Sequence, residues 1–358
     1  MREPEGNPDR VRRAVTIKHV AAEAGVSLQT VSRVINNEPN VRPVVQDRVR
    51  AAVAKLGYVP SLAARRMGGS RSYLLMALND RDRTIEGWQS GEGTDWVDQM
   101  LMGGMLRCAE AGYRMIFELI DTHSSNVERE VQAAVSALHP DGVILTPPHS
   151  DNPLITDLLS RQGLPFARIG SVEPGDGFAI SMDDRRAAEV ATDHLLDLGH
   201  TRVAFITGSD DYALSAARLE GYRMAIANRG LPADDRLIER GDFTHASGVI
   251  ATNGLLDRPD PPTGVVASND QMALAVLRVA VDRGLSVPHD LSIVSFDDTP
   301  VVRLSHPTLT AVTQPIAAMA AAASDLLIRA KAGETGLPTG RVLPFALVVR
   351  DSSGPPRP

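Results

Sequence analysis

A chain of 358 residues is too long for one compact core of ordinary size, and 43% hydrophobic with 23% charged residues excludes a disordered protein. One cysteine, Cys108, excludes an intramolecular disulfide; it reads as a small buried hydrophobe on a helix and points to a reducing cytosol. The net charge of −7 hides an asymmetry: residues 1–72 carry thirteen Lys and Arg against six Asp and Glu, net +7, and the remainder is −14. A basic head on an acidic body fits a head that meets a polyanion while the body stays clear of it, although charge alone leaves RNA or a membrane surface open.

Residues 1–14 are polar and charged, hold Pro4 and Pro8, lack the apolar core of a secretion signal and read as a disordered tail. No apolar run reaches the ~18 residues needed to cross a bilayer, so no membrane partner is expected. From Thr16, a candidate N-cap, Ile17, Val20, Ala21 and Ala24 recur at helical spacing, and Gly25 supplies a turn. Ser27 caps a second helix through Ile35, with Val31, Val34 and Ile35 facing inward. A short helix, a glycine turn and another short helix make a helix-turn-helix. Residues 43–56 form a third helix, opened by Pro43, stopped by Gly57 and apolar along Val45, Val49, Ala52, Val53 and Leu56.

The solvent face of the second helix carries Leu28, Gln29, Thr30, Ser32 and Arg33. Gln and Arg can make paired hydrogen bonds to adenine and guanine edges in the major groove, and hydroxyls at a helix N-terminus suit phosphate oxygens. An ordinary solvated helix face would look similar in isolation. The run VTIKHVAAEAGVSLQTVSRVINNEPNVRPVVQDRVRAAVAKLGYVPSLAARRMGGSRS, however, resembles the N-terminus of the LacI (lactose-repressor) family almost position for position, with AxxAGVSxxTVSRVIN and LGYxPxxxAR in family spacing. The resemblance implies that residues 15–60 bind double-stranded operator DNA, with Leu28, Gln29 and Arg33 reading bases. It makes Thr16, Ser27, Thr30, Ser32 and Asn36 phosphate contacts, puts Asn40 in a loop reaching base or backbone, and counts Tyr58 among the DNA contacts. Residues 61–72 correspond to the family's hinge, helical only on operator. Ala63, Ala64, Arg65 and Arg66 are good helix formers and Gly68 and Gly69 loosen the free segment. Met67 stands where relatives place a leucine wedge in the minor groove; the alternative is a plain linker.

From Tyr73 onward, apolar runs alternate with helical patterns. Strands are expected at 73–78, 113–120, 142–146, 166–170, 179–182, 202–207, 264–268, 292–297 and 309–314, with a last one near 343–350, and helices at 97–111, 185–198 and 271–283 among others. This rhythm gives parallel sheets covered on both faces, and so many strands imply two doubly wound lobes. The segments HLLDLGHTRVAFITG, ARLEGYRMAI, SNDQMALAVLRVAVDRGLSVPHDLSIVSFDDT and PTLTAVTQP resemble the effector-binding core of the same family, itself similar to periplasmic sugar-binding proteins. The resemblance spans residues 15–350 and is weakest over 79–95.

The expected fold is therefore a small all-α helix-turn-helix head joined by a hinge to an α/β, periplasmic-binding-protein-like body of two doubly wound parallel-sheet lobes. The body spans 73–358, with lobe 1 at about 73–180 and 314–342 and lobe 2 at about 181–313 and 343–358; the chain crosses between lobes near Ile180, Thr313 and Leu343. By resemblance, the effector contacts are Trp96, Thr146, Arg218, Phe243, Asn269, Asp270 and Asp297. Arg218 would supply a fork of donors for hydroxyls or a carboxylate, and a sugar would find acceptors in Asp297 and aromatic walls in Trp96 and Phe243. Simpler readings stand beside these: Trp96 as a core or exposed aromatic, Asp270 as a helix cap, Arg218 and Asp297 as structural ion pairs. Gly170 departs from the polar contact some relatives place after the strand.

Nothing in the sequence asks to be a catalyst. His123, His139, His149, His194 and His200 lack metal-ligand spacing, His200 reading as support for a turn, and no phosphate loop, nucleophile elbow or CxxC pair is present. No cofactor or metal is expected. The reading is a cytoplasmic, nucleoid-associated homodimer on a pseudo-palindromic operator, released by a sugar-like inducer, with a corepressor ligand as the alternative within the class. An enzyme or a transport receptor on the same body is the rival, and the attached DNA-binding head speaks against it.

Overall fold

The computed structural model describes residues 15–35, 40–58, 71–91, 93 and 95–357. The expected tail, Asn36 and most of the expected hinge with Met67 lie outside the described residues. The chain divides into two units, Met1–Tyr73 and Leu74–Pro358.

In the first unit, α1 (Ile17–Ala24), α2 (Leu28–Ile35) and α3 (Pro43–Leu56) enclose a small core of Val20, Ala21, Ala24, Val31, Val34, Val49, Ala52 and Tyr58. The punctuation is chemical. Gly25 and Gly57 both adopt φ 61°, the left-handed turn that ends a helix, and Pro43 opens α3, where a missing N–H costs nothing. Lys55 pairs with Glu23 at 2.7 Å, tying α3 to α1 at the surface.

The second unit holds two six-stranded sheets. The first runs in the order β11 (Gly340–Val342), β5 (Phe178–Ser181), β4 (Phe166–Ile169), β3 (Gly142–Leu145), β1 (Leu74–Asp80), β2 (Arg114–Ile120), and every pairing is parallel. The second runs β12 (Ala346–Val348), β10 (Thr310–Thr313), β9 (Ser292–Asp297), β8 (Gly264–Ala267), β6 (Val203–Ile206), β7 (Ile238–Glu239); the β10–β12 pair is antiparallel and the others parallel. Central strands such as Leu74–Asp80, Val203–Ile206 and Gly264–Ala267 are buried along their whole length, which is why their sequences are near-continuous apolar runs.

Helices cover these sheets: α4 (Arg81–Ser90), α5 (Asp95–Glu110), α6 (Val127–Leu138) and α7 (Pro153–Arg161) with the first, and α8 (Asp184–Asp197), α9 (Ala213–Asn228), α10 (His245–Leu256) and α11 (Asp270–Asp282) with the second. The chain leaves the first sheet after β5, returns after β10 into α12 (Ile316–Lys331), which packs on α5, β3, β4 and β5, and leaves again between β11 and β12. The strand expected near 343–350 is β12, and a further strand, β11, precedes it on the other sheet. Pro344, which has no N–H to give a ladder, stands in the break. The stretch 79–95, where the resemblance is weakest, contains α4, capped by the Asp80 carboxylate accepting from the Arg83 N–H at 2.9 Å.

The last residues close the second sheet. Ser352 is fully buried; its hydroxyl accepts from the Thr310 N–H at 2.8 Å and donates to the Ile293 carbonyl at 2.7 Å. His200 links Thr263 Oγ1 at 2.8 Å to the Gly354 carbonyl at 2.9 Å, the turn-supporting role its position foretold. Cys108 is buried on α5, and burial pushes its thiol pKa up to about 11, which leaves it an unreactive packing residue.

Candidate functional site

The parallel strands of both sheets end on one cleft, where ligands of doubly wound sheets bind. It encloses about 930 Å³ of space, mouth included. One wall comes from the first lobe (Asn79, Asp80, Arg83, Asp95, Trp96) and the other from the second (Tyr212, Arg218, Phe243, Asn269, Asp270, Asp297).

Arg218 and Asp297 form the floor. Arg218 is 1% exposed; its Nε donates to Asp184 at 2.8 Å, its Nη1 donates to the Ser268 carbonyl, and its guanidinium lies 4.4 Å from the Phe296 ring centre. Its Nη2 is buried without a partner. Asp297 closes β9 at φ 93°, is 8% exposed, and among the described residues its carboxylate accepts no hydrogen bond. Burial raises its pKa to about 6; Arg218 opposes that rise, while Asp184 and Asp95 add to it. The ion pair that the sequence left open for Arg218 is real, but Asp184 is the partner and Asp297 stays available.

Asn269 and Asp270 begin α11. The Asn269 side chain accepts from the Met272 N–H at 2.9 Å, so the cap is Asn269 and not its neighbour. Asp270 instead receives the Ser295 hydroxyl and the Thr299 N–H and hydroxyl, at 2.7 and 2.8 Å, stapling α11 to the end of β9. Burial and the nearby Asp297 hold its pKa well above the usual carboxylate range.

The aromatic side is built by close contact. Phe243 meets Tyr212 edge-on at 5.1 Å. It adopts φ 72°, a left-handed conformation that a non-glycine residue holds only under external constraint. Its carbonyl accepts from Asn269 Nδ2 at 2.8 Å, and its ring lies on Gly208, where a Cβ would fall 1.9 Å from Cζ. Arg83 crosses from the first lobe, donating to the Asp242 carbonyl and standing 5.0 and 5.7 Å from the Tyr212 and Phe243 ring centres. One more contact bridges the cleft, Gln271 Nε2 donating to Asp95 at 3.4 Å, while Trp96 Nε1 donates at 3.2 Å to Gln314, where the chain crosses from β10 to α12.

Of the seven expected effector residues, the structure gathers Trp96, Arg218, Phe243, Asn269, Asp270 and Asp297 on this one cleft. Thr146 is the exception. It is fully buried behind the wall, donating to the Leu78 carbonyl at 2.9 Å and to Asn79 Oδ1 at 2.7 Å, while Pro147 takes the place on the lining. Sequence reasoning missed Asn79, Asp80, Arg83, Tyr212, Gln271 and Gln314. Gln271 stood beside a recognisable helix start; Asp80, Arg83 and Tyr212 carried no local signal.

In the head, Val31 and Val34 turn inward, while Ser27, Leu28 (44% exposed), Gln29 and Arg33 face outward on or beside α2, with Thr30 and Ser32 half-buried. Ser27 caps α2, accepting from the Thr30 N–H at 3.2 Å and sharing a hydrogen bond with the Thr30 hydroxyl at 2.9 Å. The Thr16 N–H donates to His19 Nδ1 at 3.0 Å, and Thr16 and Asn40 are exposed. Tyr58 is 7% exposed, its ring packs in the three-helix core, and burial raises its pKa.

Comparison with known proteins follows the same two-part division. Residues 16–61 match the bacterial regulatory proteins of the lacI family, and residues 192–353 match a periplasmic binding protein-like domain. The chain is 35% identical over 348 residues to the HTH-type transcriptional regulator CelR of Thermobifida fusca, covering 95% of this chain and 99% of CelR. It is 34% identical over 318 residues to GalR of Escherichia coli, covering 87% and 88%. Among solved structures, a CelR–cellobiose complex superposes with TM-score 0.71 at 32% identity over 95% of this chain and all of that one. The lac repressor dimer bound to operator and the anti-inducer ONPF gives 0.77 at 25% identity over 96% and 100%. A three-helix head, a body of two doubly wound sheets and likeness along nearly the whole length of these regulators place the chain in the LacI family of DNA-binding transcription regulators.

Proposed function

We propose that this regulator is a repressor of carbohydrate-utilisation genes, acting as a cytoplasmic homodimer that leaves a pseudo-palindromic operator when a sugar binds the cleft. The observation that carries the reading is the floor: an unpartnered Arg218 Nη2 and an unpartnered Asp297 carboxylate share one cavity with Trp96, Tyr212 and Phe243. A donor beside an acceptor suits sugar hydroxyls, and the rings suit the apolar faces of a pyranose. Cellobiose, named with the similar CelR, is the first candidate.

Contacts from both lobes give the mechanism. A ligand touching Trp96 on one side and Arg218 and Asp297 on the other favours one lobe arrangement, and DNA affinity changes by the ratio of its affinities for the two arrangements. In the head, Leu28, Gln29 and Arg33 read bases, and Thr16, Ser27, Thr30, Ser32, Asn36 and Asn40 hold the backbone, with Met67 as the minor-groove wedge. The family consists of DNA-binding regulators, and the cleft is read as a binding site with no catalytic role.

The test is selection of genomic fragments on the purified protein, repeated with a sugar panel headed by cellobiose. One pseudo-palindromic site released by one sugar supports the proposal. A site bound more tightly with the ligand turns it to corepression, and no enriched site at any salt concentration overturns it.

A further inference from the structure

The charge of the cleft is lopsided. Four carboxylates line it, Asp80, Asp95, Asp270 and Asp297, against the guanidiniums of Arg83 and Arg218. Counting Asp184 behind Arg218, five carboxylates stand against two guanidiniums, although the Arg218 Nη2 remains a free donor. Arg218 is held at 2.8 Å by Asp184, a carboxylate as buried as itself. Arg83 donates to the Asp242 carbonyl and lies on the Tyr212 and Phe243 rings.

Helix N-termini are where a phosphate would otherwise be welcomed, since their free N–H groups and positive dipole ends attract anions. Four helices start at this cleft, and the protein's own carboxylates stand at three of the starts; α9, opened by Tyr212, has none. Asp80 caps α4, Asp95 opens α5 and Asp270 opens α11. The Asp80 oxygens accept from the Arg83 N–H and the Thr122 hydroxyl, and those of Asp270 from Ser295 and Thr299. These partners are neutral dipoles, which solvate the negative charge without cancelling it. Desolvation already raises the pKa of Asp95, Asp270 and Asp297, the mark of a site that resists further negative charge.

We infer that the cleft excludes anions and takes an uncharged, hydroxyl-rich ligand, so that the effector is a free sugar and not its phosphorylated or carboxylated form. This rests on the reading of the cleft as the effector site. What it adds is a rule about chemical state: the protein reports on sugar that has not been phosphorylated on entry or oxidised to an acid.

The test is calorimetry on the full-length protein with matched pairs: cellobiose and cellobionic acid, glucose and glucose 6-phosphate, galactose and galactose 1-phosphate. A neutral member binds, and its anionic partner binds at least about tenfold more weakly, as like charges a few ångströms apart in a protein site require. The gap narrows as ionic strength rises and narrows again in Asp297→Asn. Asp95→Asn, at the rim of the site, makes the same charge change should Asp297→Asn fold poorly. An anionic member that binds as tightly as its neutral parent overturns the inference and leaves the cleft reading standing. No binding by any member, with operator binding intact, overturns the sugar-cleft reading itself.

Discussion

The two walls of the cleft are made differently. On the second lobe, each side chain is fixed from behind: Arg218 by Asp184 and Ser268, Asp270 by Ser295 and Thr299, Phe243 by Asn269 and Gly208. On the first lobe, Arg83, Thr84 and Gly87 ride on α4, a helix that buries only Thr84 and is anchored by the Asp80 cap, by the Thr84 hydroxyl between Asn79 and the Asp80 carbonyl, by the half-buried pairs of Arg81 with Asp121 and Glu130, and by the reach of Arg83 to the other side. A wall held by many buried hydrogen bonds keeps its geometry when empty. One held by a single buried side chain, a cap, half-buried ion pairs and a clasp opens at lower cost. The second lobe is therefore suited to read the ligand and the first to close over it.

Breaking the second wall should be the more expensive change. Arg218→Met strands Asp184 as a buried charge and should lower stability by about 3–5 kcal/mol, read as a shift in the urea midpoint; an unshifted midpoint would dissolve the contrast between the walls. Asp297→Asn should cost about 1.5–3 kcal/mol of effector binding, the value of a hydrogen bond to a charged group. In the unsubstituted protein, effector affinity should fall as pH drops through about 6, because the protonated Asp297 is a poorer acceptor. The raised pKa acts on folding in the opposite sense: the stability it contributes is full below the pKa of the unfolded chain and is lost as pH rises through about 6. Titrating binding and unfolding separately checks both signs, and Asp297→Asn should flatten both curves.

The first wall should respond more mildly. Arg83→Met removes the clasp and its aromatic contacts, worth about 0.5–2 kcal/mol. Hydrogen exchange should quicken in α4 and around residues 242–244 while the floor at Arg218 stays protected; equal quickening at the floor would mean that the walls are one unit. Smallest is Thr146→Val, which frees Asn79 from its partner and should cost about 0.5–1.5 kcal/mol in thermal stability, with effector affinity changing only through Asn79.

The same contrast explains what could be read from sequence. The fold class was legible because fully buried parallel strands must be apolar runs, and the end of β9 could be placed to the residue. The second wall was legible because strand ends and helix starts announce themselves, as at Asn269 and Asp297. Thr146 likewise follows a strand, yet the chain turns its hydroxyl back onto Leu78 and Asn79. The first wall was obscure because RDRTIEGWQS has no apolar stripe, so periodicity finds no helix there. Arg83 owes its place to Tyr212 and Phe243, more than a hundred residues away.

The order in which the chain supplies its parts has a consequence for synthesis. The three-helix head is complete by residue 58, whereas the first sheet waits for α12 and β11, and the second for β12 and Ser352. At ribosomal speeds, the roughly 300 residues in between take ~15–60 s. During that interval a nascent chain has a finished DNA-reading head and two unfinished sheets. A message cut short before residue 316 yields a head that no effector can address.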